Sequence, residues 1–175
     1  MRLGNVYYYF KTKSEIGQAI VEQRASNLQM LLQMLDKLPG PKARLGAFIE
    51  SVSGNRSALA RSGCPVGTLC IELRKEDEGF SKTAVKNAAK MFGPILTWLE
   101  AQFREFGMAN DSRGMAAHVL AGLQGASLLS HSFGRQAYVL EEAQRLRKWV
   151  DELKPAQRAH DAPKRRRTGA SSAAA

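Results

Sequence analysis

Gly4-Asn5-Val6-Tyr7-Tyr8-Tyr9-Phe10-Lys11-Thr12-Lys13-Ser14-Glu15 sets four consecutive aromatics among cations, with Arg2 before them and no acid until Glu15. By propensity alone Val6–Phe10 suits a strand, because β-branched and aromatic residues fit a pleated surface. The residues that follow argue for a helix. Thr12-Lys13-Ser14-Glu15 is a capping box, in which the Thr12 hydroxyl accepts from the backbone NH of Glu15 and the Glu15 carboxylate reaches back. A helix therefore starts near Lys13, and the aromatic run ends at a tight turn before it. Short element, tight turn and long helix is the back half of a helix-turn-helix unit joined to its body. Three tyrosines in a row cannot share one face of a helix, since successive side chains rotate by about 100°. Val6 and Phe10 are expected to face inward, leaving Tyr7, Tyr8 and Tyr9 beside Lys11 and Lys13 as a cationic, hydroxyl-tipped surface. Those are groups that hydrogen-bond to backbone phosphates.

Downstream the chain reads as helices throughout. Ile16, Ile20, Leu28, Leu31, Leu32 and Leu35 recur at helical steps up to Pro39-Gly40-Pro41, which stops the helix. Lys42–Val52 is a second amphipathic helix, and 54–63 reads as a loop with at most one weak turn. Pro65 sits in the first turn of a short helix carrying Val66, Leu69, Cys70 and Leu73, followed by a charged turn over 74–79. Ser81 caps a long helix to Phe106, and Gly93-Pro94 is expected to kink it near 90–94 or split it in two. Asn110-Asp111-Ser112 caps the next helix, which Gly134 closes, and a last helix covers 136–153. Residues 156–175 lack apolar bulk and read as disordered. The fold class is all-α, in three parts: 1–38, 39–153 and a basic tail at 154–175.

Composition narrows the function classes. Half of the net charge of +10 lies in 154–175, so the body is only moderately basic; the run Lys164–Arg167 reads as a solvated tail. No apolar run reaches 18 residues and the N-terminus has no apolar signal region, so neither membrane nor secretion is expected, and the cytoplasm is the default. Cys64 and Cys70 are six apart with no His nearby, which fits two buried small hydrophobes rather than a redox pair or zinc ligands. His118, His131 and His160 stand beside no nucleophile or ligand motif, and Glu76-Asp77-Glu78 reads as a solvated turn. No cofactor, metal or catalytic residue is expected, and the chain reads as a non-enzyme.

The stretch Gly4–Glu15 resembles the end of the DNA-binding domain of the tetracycline-repressor (TetR) family. That pattern reads Gly, a small polar residue, an aliphatic, Tyr, an aromatic, His or Tyr, Phe, two variable residues, Lys and an acid soon after, and each position is matched here. Gly63-Cys64-Pro65-Val66-Gly67 followed by Glu72-Leu73 resembles one branch of the same regulators. The resemblance implies a TetR-like helical bundle with a partial helix-turn-helix: Met1–Phe10 would be the recognition helix, and Lys13 would sit on a phosphate. Family members carry two further helices ahead of this point, so the chain is expected to be truncated within the motif. At the N-terminal end of that helix, Arg2, Leu3 and Asn5 would reach base edges, Arg2 pairing with guanine and Asn5 with adenine.

The resemblance also implies a small, mainly apolar effector in the body, among Phe48, Val52, Leu69, Met91, Ile95, Trp98, Gln124 and His131. The last two helices would form a homodimer interface through Ala121, Gly122, Gly125, Ala126, Leu129, Leu146 and Val150. The expected function is a ligand-released homodimeric repressor of an operator in double-stranded DNA. The alternative is a helical ligand-binding and dimerisation module that has lost DNA binding through truncation.

Overall fold

The computed structural model describes residues 6–10, 12–75 and 82–155, with side chains at 8–10, 12, 15–72 and 91–155. These residues form eight helices: α1 (Val6–Tyr9), α2 (Lys13–Leu35), α3 (Gly40–Gly54), α4 (Arg56–Ser62), α5 (Pro65–Lys75), α6 (Lys82–Glu105), α7 (Ser112–Phe133) and α8 (Ala137–Glu152). The fold is all-α. The Ser81 cap, most of the charged turn at 74–79 and the tail at 156–175 lie outside the described residues.

Local chemistry explains most of the boundaries. Thr12 is the N-cap of α2, its hydroxyl accepting from the Glu15 NH at 3.1 Å. Gly40 takes φ 78° between two prolines, a left-handed conformation that costs glycine little, and turns the chain from α2 into α3. At the end of α7, Gly134 is left-handed (φ 65°, ψ 21°), and the Arg135 NH reaches back to the Ser130 carbonyl at 3.0 Å. That reach-back closes the helix in a Schellman arrangement.

Two expectations are corrected. The segment after α3 is not a loop: α4 is a seven-residue helix. So short a helix is marginal alone; here Leu59 and Ala60 are buried, and α4 packs on α7. Nor does Gly93-Pro94 split its helix, for α6 runs unbroken through Pro94. A proline in a helix interior costs ~3 kcal/mol. Burying Met91, Ile95, Leu99 and Phe103 on either side offsets this, at ~1.5–3 kcal/mol for each large apolar side chain.

The core lies between α3, α6, α7 and α8, with Leu45, Phe48, Ile49, Leu99, Phe103, Val119, Leu123, Leu146 and Val150 all nearly inaccessible. Leu32 and Leu35 of α2 belong to the same cluster, so the turn after residue 38 does not divide the core. Arg44 fastens this corner: it donates to the Leu38 carbonyl at 3.0 Å and to Glu105 at 2.8 Å, and it satisfies the buried amide of Gln102 at 3.3 Å. A separate small cluster joins α2, α5 and α6 through Val21 and Met91, with Val66, Leu69 and Cys70 against them.

Candidate nucleic-acid interface and effector cavity

At the N-terminal end, Tyr8 and Tyr9 are 74% and 72% exposed, their rings meeting edge-to-face at 5.2 Å. Phe10 is half-buried and lines a groove with Glu15, Gln18, Ala19 and Glu22 of α2. The described part of the head is thus a helical turn that sends tyrosine hydroxyls outward and its last aromatic toward α2. Arg2, Leu3, Asn5 and Lys11 lie outside the described residues; Tyr7 and Lys13 are placed in α1 and α2 by their backbones alone.

Between about three and five turns along α2 a cavity of about 500 Å³ opens. Its walls come from Arg24, Leu28 and Leu31 of α2, Phe48, Ser51 and Val52 of α3, the start of α5 from Cys64 to Val66, Phe92 and Ile95 of α6, and Leu120, Leu123, Gln124 and Ser127 of α7. Phe48, Val52, Ile95 and Gln124 are the four of the eight expected residues found there. The other four sit elsewhere. Leu69 and Met91 pack on Val21 in the small cluster that joins α2, α5 and α6. Trp98 lies behind Phe48, its ring tilted at 5.8 Å, and its indole NH donates to Asp36 Oδ1 at 2.7 Å. His131 is exposed, its Nδ1 3.3 Å from the Ala60 carbonyl. For these four the lining assignment is withdrawn. Arg24, Leu28 and Leu31 were missed as lining, although their i, i+4, i+7 spacing puts them on one face of α2.

The cysteines are half-buried rather than buried. Cys64 lines the cavity and caps α5, its Sγ accepting from the Gly67 NH at 3.5 Å. Burial, with a smaller contribution from Cys64, pushes the Cys70 thiol pKa up, keeping that side chain neutral. Gly63 just before the cap takes φ 70° and ψ −176°, a conformation essentially reserved for glycine. A Cβ there would come 3.2 Å from Thr68 Oγ1. Among the described residues no group of His, Cys, Asp and Glu is arranged to hold a metal ion. His118 meets Trp149 edge-to-face, ring centroids 5.0 Å apart.

The expected dimer residues divide the same way. Ala126, Leu146 and Val150 are buried in the chain's own core and are removed from any contact with a second copy. Gly122 is half-buried against α8, where a Cβ would meet the Glu142 carboxylate. Ala121, Gly125 and Leu129 remain on the surface. With them lie Leu128, 63% exposed, and Phe133, 62% exposed, the latter tilted on Tyr138 at 5.6 Å. Two serines of this helix are buried away from that face: Ser127 donates to the Leu123 carbonyl and Ser130 to the Arg135 carbonyl, both at 2.7 Å. The outer face of α7 is therefore a continuous small-and-apolar strip.

No protein-family model matches the chain. It is 31% identical over 130 residues to an uncharacterised HTH-type transcriptional regulator in the lacX 3′ region of Lactococcus lactis subsp. lactis, covering 72% of this chain and 65% of that protein. The chain thus spans just under two thirds of the curated relative it matches. In three dimensions it superposes on the crystal structure of a TetR-family transcriptional regulator from Agrobacterium tumefaciens with a TM-score of 0.69, at 20% identity, over 85% of this chain and 80% of that one.

Proposed function

We propose that this TetR-like chain is a DNA-binding transcriptional regulator, a homodimeric repressor that leaves its operator when a mainly apolar effector fills the cavity. The single observation that carries the reading is that one helix serves both sites. α2 begins at the tyrosine-bearing turn and walls the cavity with Arg24, Leu28 and Leu31. Its 23 residues span about 34 Å at 1.5 Å per residue. An effector that fits the cavity better in one placement of α2 shifts the head by the difference in its affinity for the two states, and by no more. Phe48 extends the linkage: it lines the cavity, touches Trp98, and Trp98 is bonded to Asp36 at the end of α2.

In the head, Tyr7, Tyr8, Tyr9, Lys11 and Lys13 would hold phosphates, while Arg2, Leu3 and Asn5 would address bases. Dimerisation through Ala121, Gly125, Leu128, Leu129 and Phe133 would set two heads at the spacing of successive major grooves. The residues of the cavity bind rather than catalyse: His118 and His131 are engaged elsewhere. A regulator of this kind works in the cytoplasm, and no helix among the described residues is long and apolar enough to cross a membrane.

Selection of duplexes from a random-sequence pool tests the reading. The chain should enrich a palindromic site, and Tyr8→Ala with Tyr9→Ala should lose it while keeping the helical circular dichroism. No enrichment would overturn DNA recognition and favour the binding-module alternative.

A further inference from the structure

We infer that the effector is an amphipathic anion, an apolar body carrying one carboxylate, sulfonate or phenolate that pairs with Arg24. This deepens the proposed ligand-binding reading and rests on it. Most of the cavity wall is apolar, from Leu28, Phe48, Ile95 and Leu123 among others, which suits a hydrocarbon or aromatic body. Its charge is one-sided. Arg24 is the one ionisable cation among the described lining residues, and none of them is Asp or Glu. Acids are plentiful elsewhere on the helices, and Arg44, Arg104, Arg145, Arg147 and Lys148 form ion pairs with them. Arg24 has no hydrogen bond or ion pair with another described residue, so its guanidinium is available to a ligand.

One further feature of the lining favours negative charge. The positive end of α5 opens on the cavity at Cys64–Val66, and a helix N-terminus favours an anion within its first turn. Gln124, half-buried on the facing helix, makes no hydrogen bond to another described residue and turns its side-chain oxygen toward Gly67 in the first turn of α5. Since Arg24 belongs to α2, pairing with it would add a charged grip on the helix that leads to the tyrosine head, beyond the apolar contacts that Leu28 and Leu31 offer on the same helix.

The test compares two probes sharing one apolar body, 8-anilinonaphthalene-1-sulfonate and neutral N-phenyl-1-naphthylamine, titrated by fluorescence into the full chain. The sulfonate should bind tighter by roughly tenfold or more, the scale of a charge-assisted guanidinium contact. Arg24→Met, an exposed position where folding is not at stake, should erase that difference while leaving the neutral probe within about twofold, and Arg24→Lys should retain part of it. Val52→Trp, which fills the cavity from its wall, should weaken both probes. Equal binding of the two probes, unchanged by Arg24→Met but lost in Val52→Trp, would overturn the anion while leaving the cavity as a ligand site. Binding of neither probe, or binding indifferent to Val52→Trp, would overturn both.

Discussion

Replacing Phe133 with Asp should turn the protein from dimer to monomer without unfolding it. Phe133 is 62% exposed, meets the Tyr138 ring at 5.6 Å and is not part of the buried core, so the substitution leaves that core untouched. A Phe side chain offers ~200 Å² in all, so at 62% exposure about 120 Å² is free to be covered by a second copy. At about 25 cal/mol per Å² that is ~3 kcal/mol, in the range of an interface hot spot. Two-fold symmetry presents the site twice, giving ~6 kcal/mol, or about 10⁴ in the dimer dissociation constant. Two aspartates brought onto an apolar strip add desolvation to that loss. Sedimentation velocity at micromolar concentration should show a dimer for the parent chain and a monomer for Phe133→Asp, with the two melting curves close once association is diluted away. An unchanged sedimentation coefficient, or a monomeric parent, would refute the assignment of the α7 face.

Three other perturbations bear on the elements that frame the cavity and the head. Thr12→Ala removes the α2 cap and should cost ~1 kcal/mol of local helix stability, read as faster hydrogen exchange at the Glu15 amide. Gly63→Ala forces a side chain into φ 70°, ψ −176° and should destabilise by ~1–3 kcal/mol, seen as a melting temperature several degrees lower. Trp98→Phe keeps the ring on Phe48 but drops the bond to Asp36. Because that carboxylate is exposed, stability should fall by only ~1 kcal/mol while effector-driven release of DNA weakens; equal release would disprove the Phe48–Trp98–Asp36 linkage.

The elements that announce themselves by local chemistry were readable in the sequence. Thr12 and Glu15 gave the start of α2, Pro39-Gly40-Pro41 its end, and Gly134 the close of α7, because caps and breakers act within one turn. α4 was hidden because Arg56-Ser57-Ala58-Leu59-Ala60-Arg61-Ser62 carries one large apolar residue; its helicity comes from packing on α7, which no local pattern encodes. The cavity was half legible for a related reason. Periodicity says which residues share a face of a helix, not which neighbour the face meets. Met91 and Ile95 are one turn apart, yet Met91 seals the contact with Val21 while Ile95 opens on the cavity. The resemblance put Leu146 and Val150 at a dimer surface when they close the core, and it did not include Leu128 and Phe133, whose exposure depends on how α8 crosses α7.

The central claim is that the tyrosine-bearing head recognises duplex DNA, and the salt dependence of binding tests it most directly. Fluorescence anisotropy on the selected duplex and on a scrambled one of equal length, from low to physiological salt, separates phosphate contacts from base recognition. The selected duplex should bind at least 10³-fold tighter than the scrambled one, with log K falling linearly in log salt. Lys13→Gln should reduce that slope by ~0.9 per protomer, the signature of one lost phosphate contact. Equal affinity for both duplexes, or a slope that Lys13→Gln leaves unchanged, would contradict it.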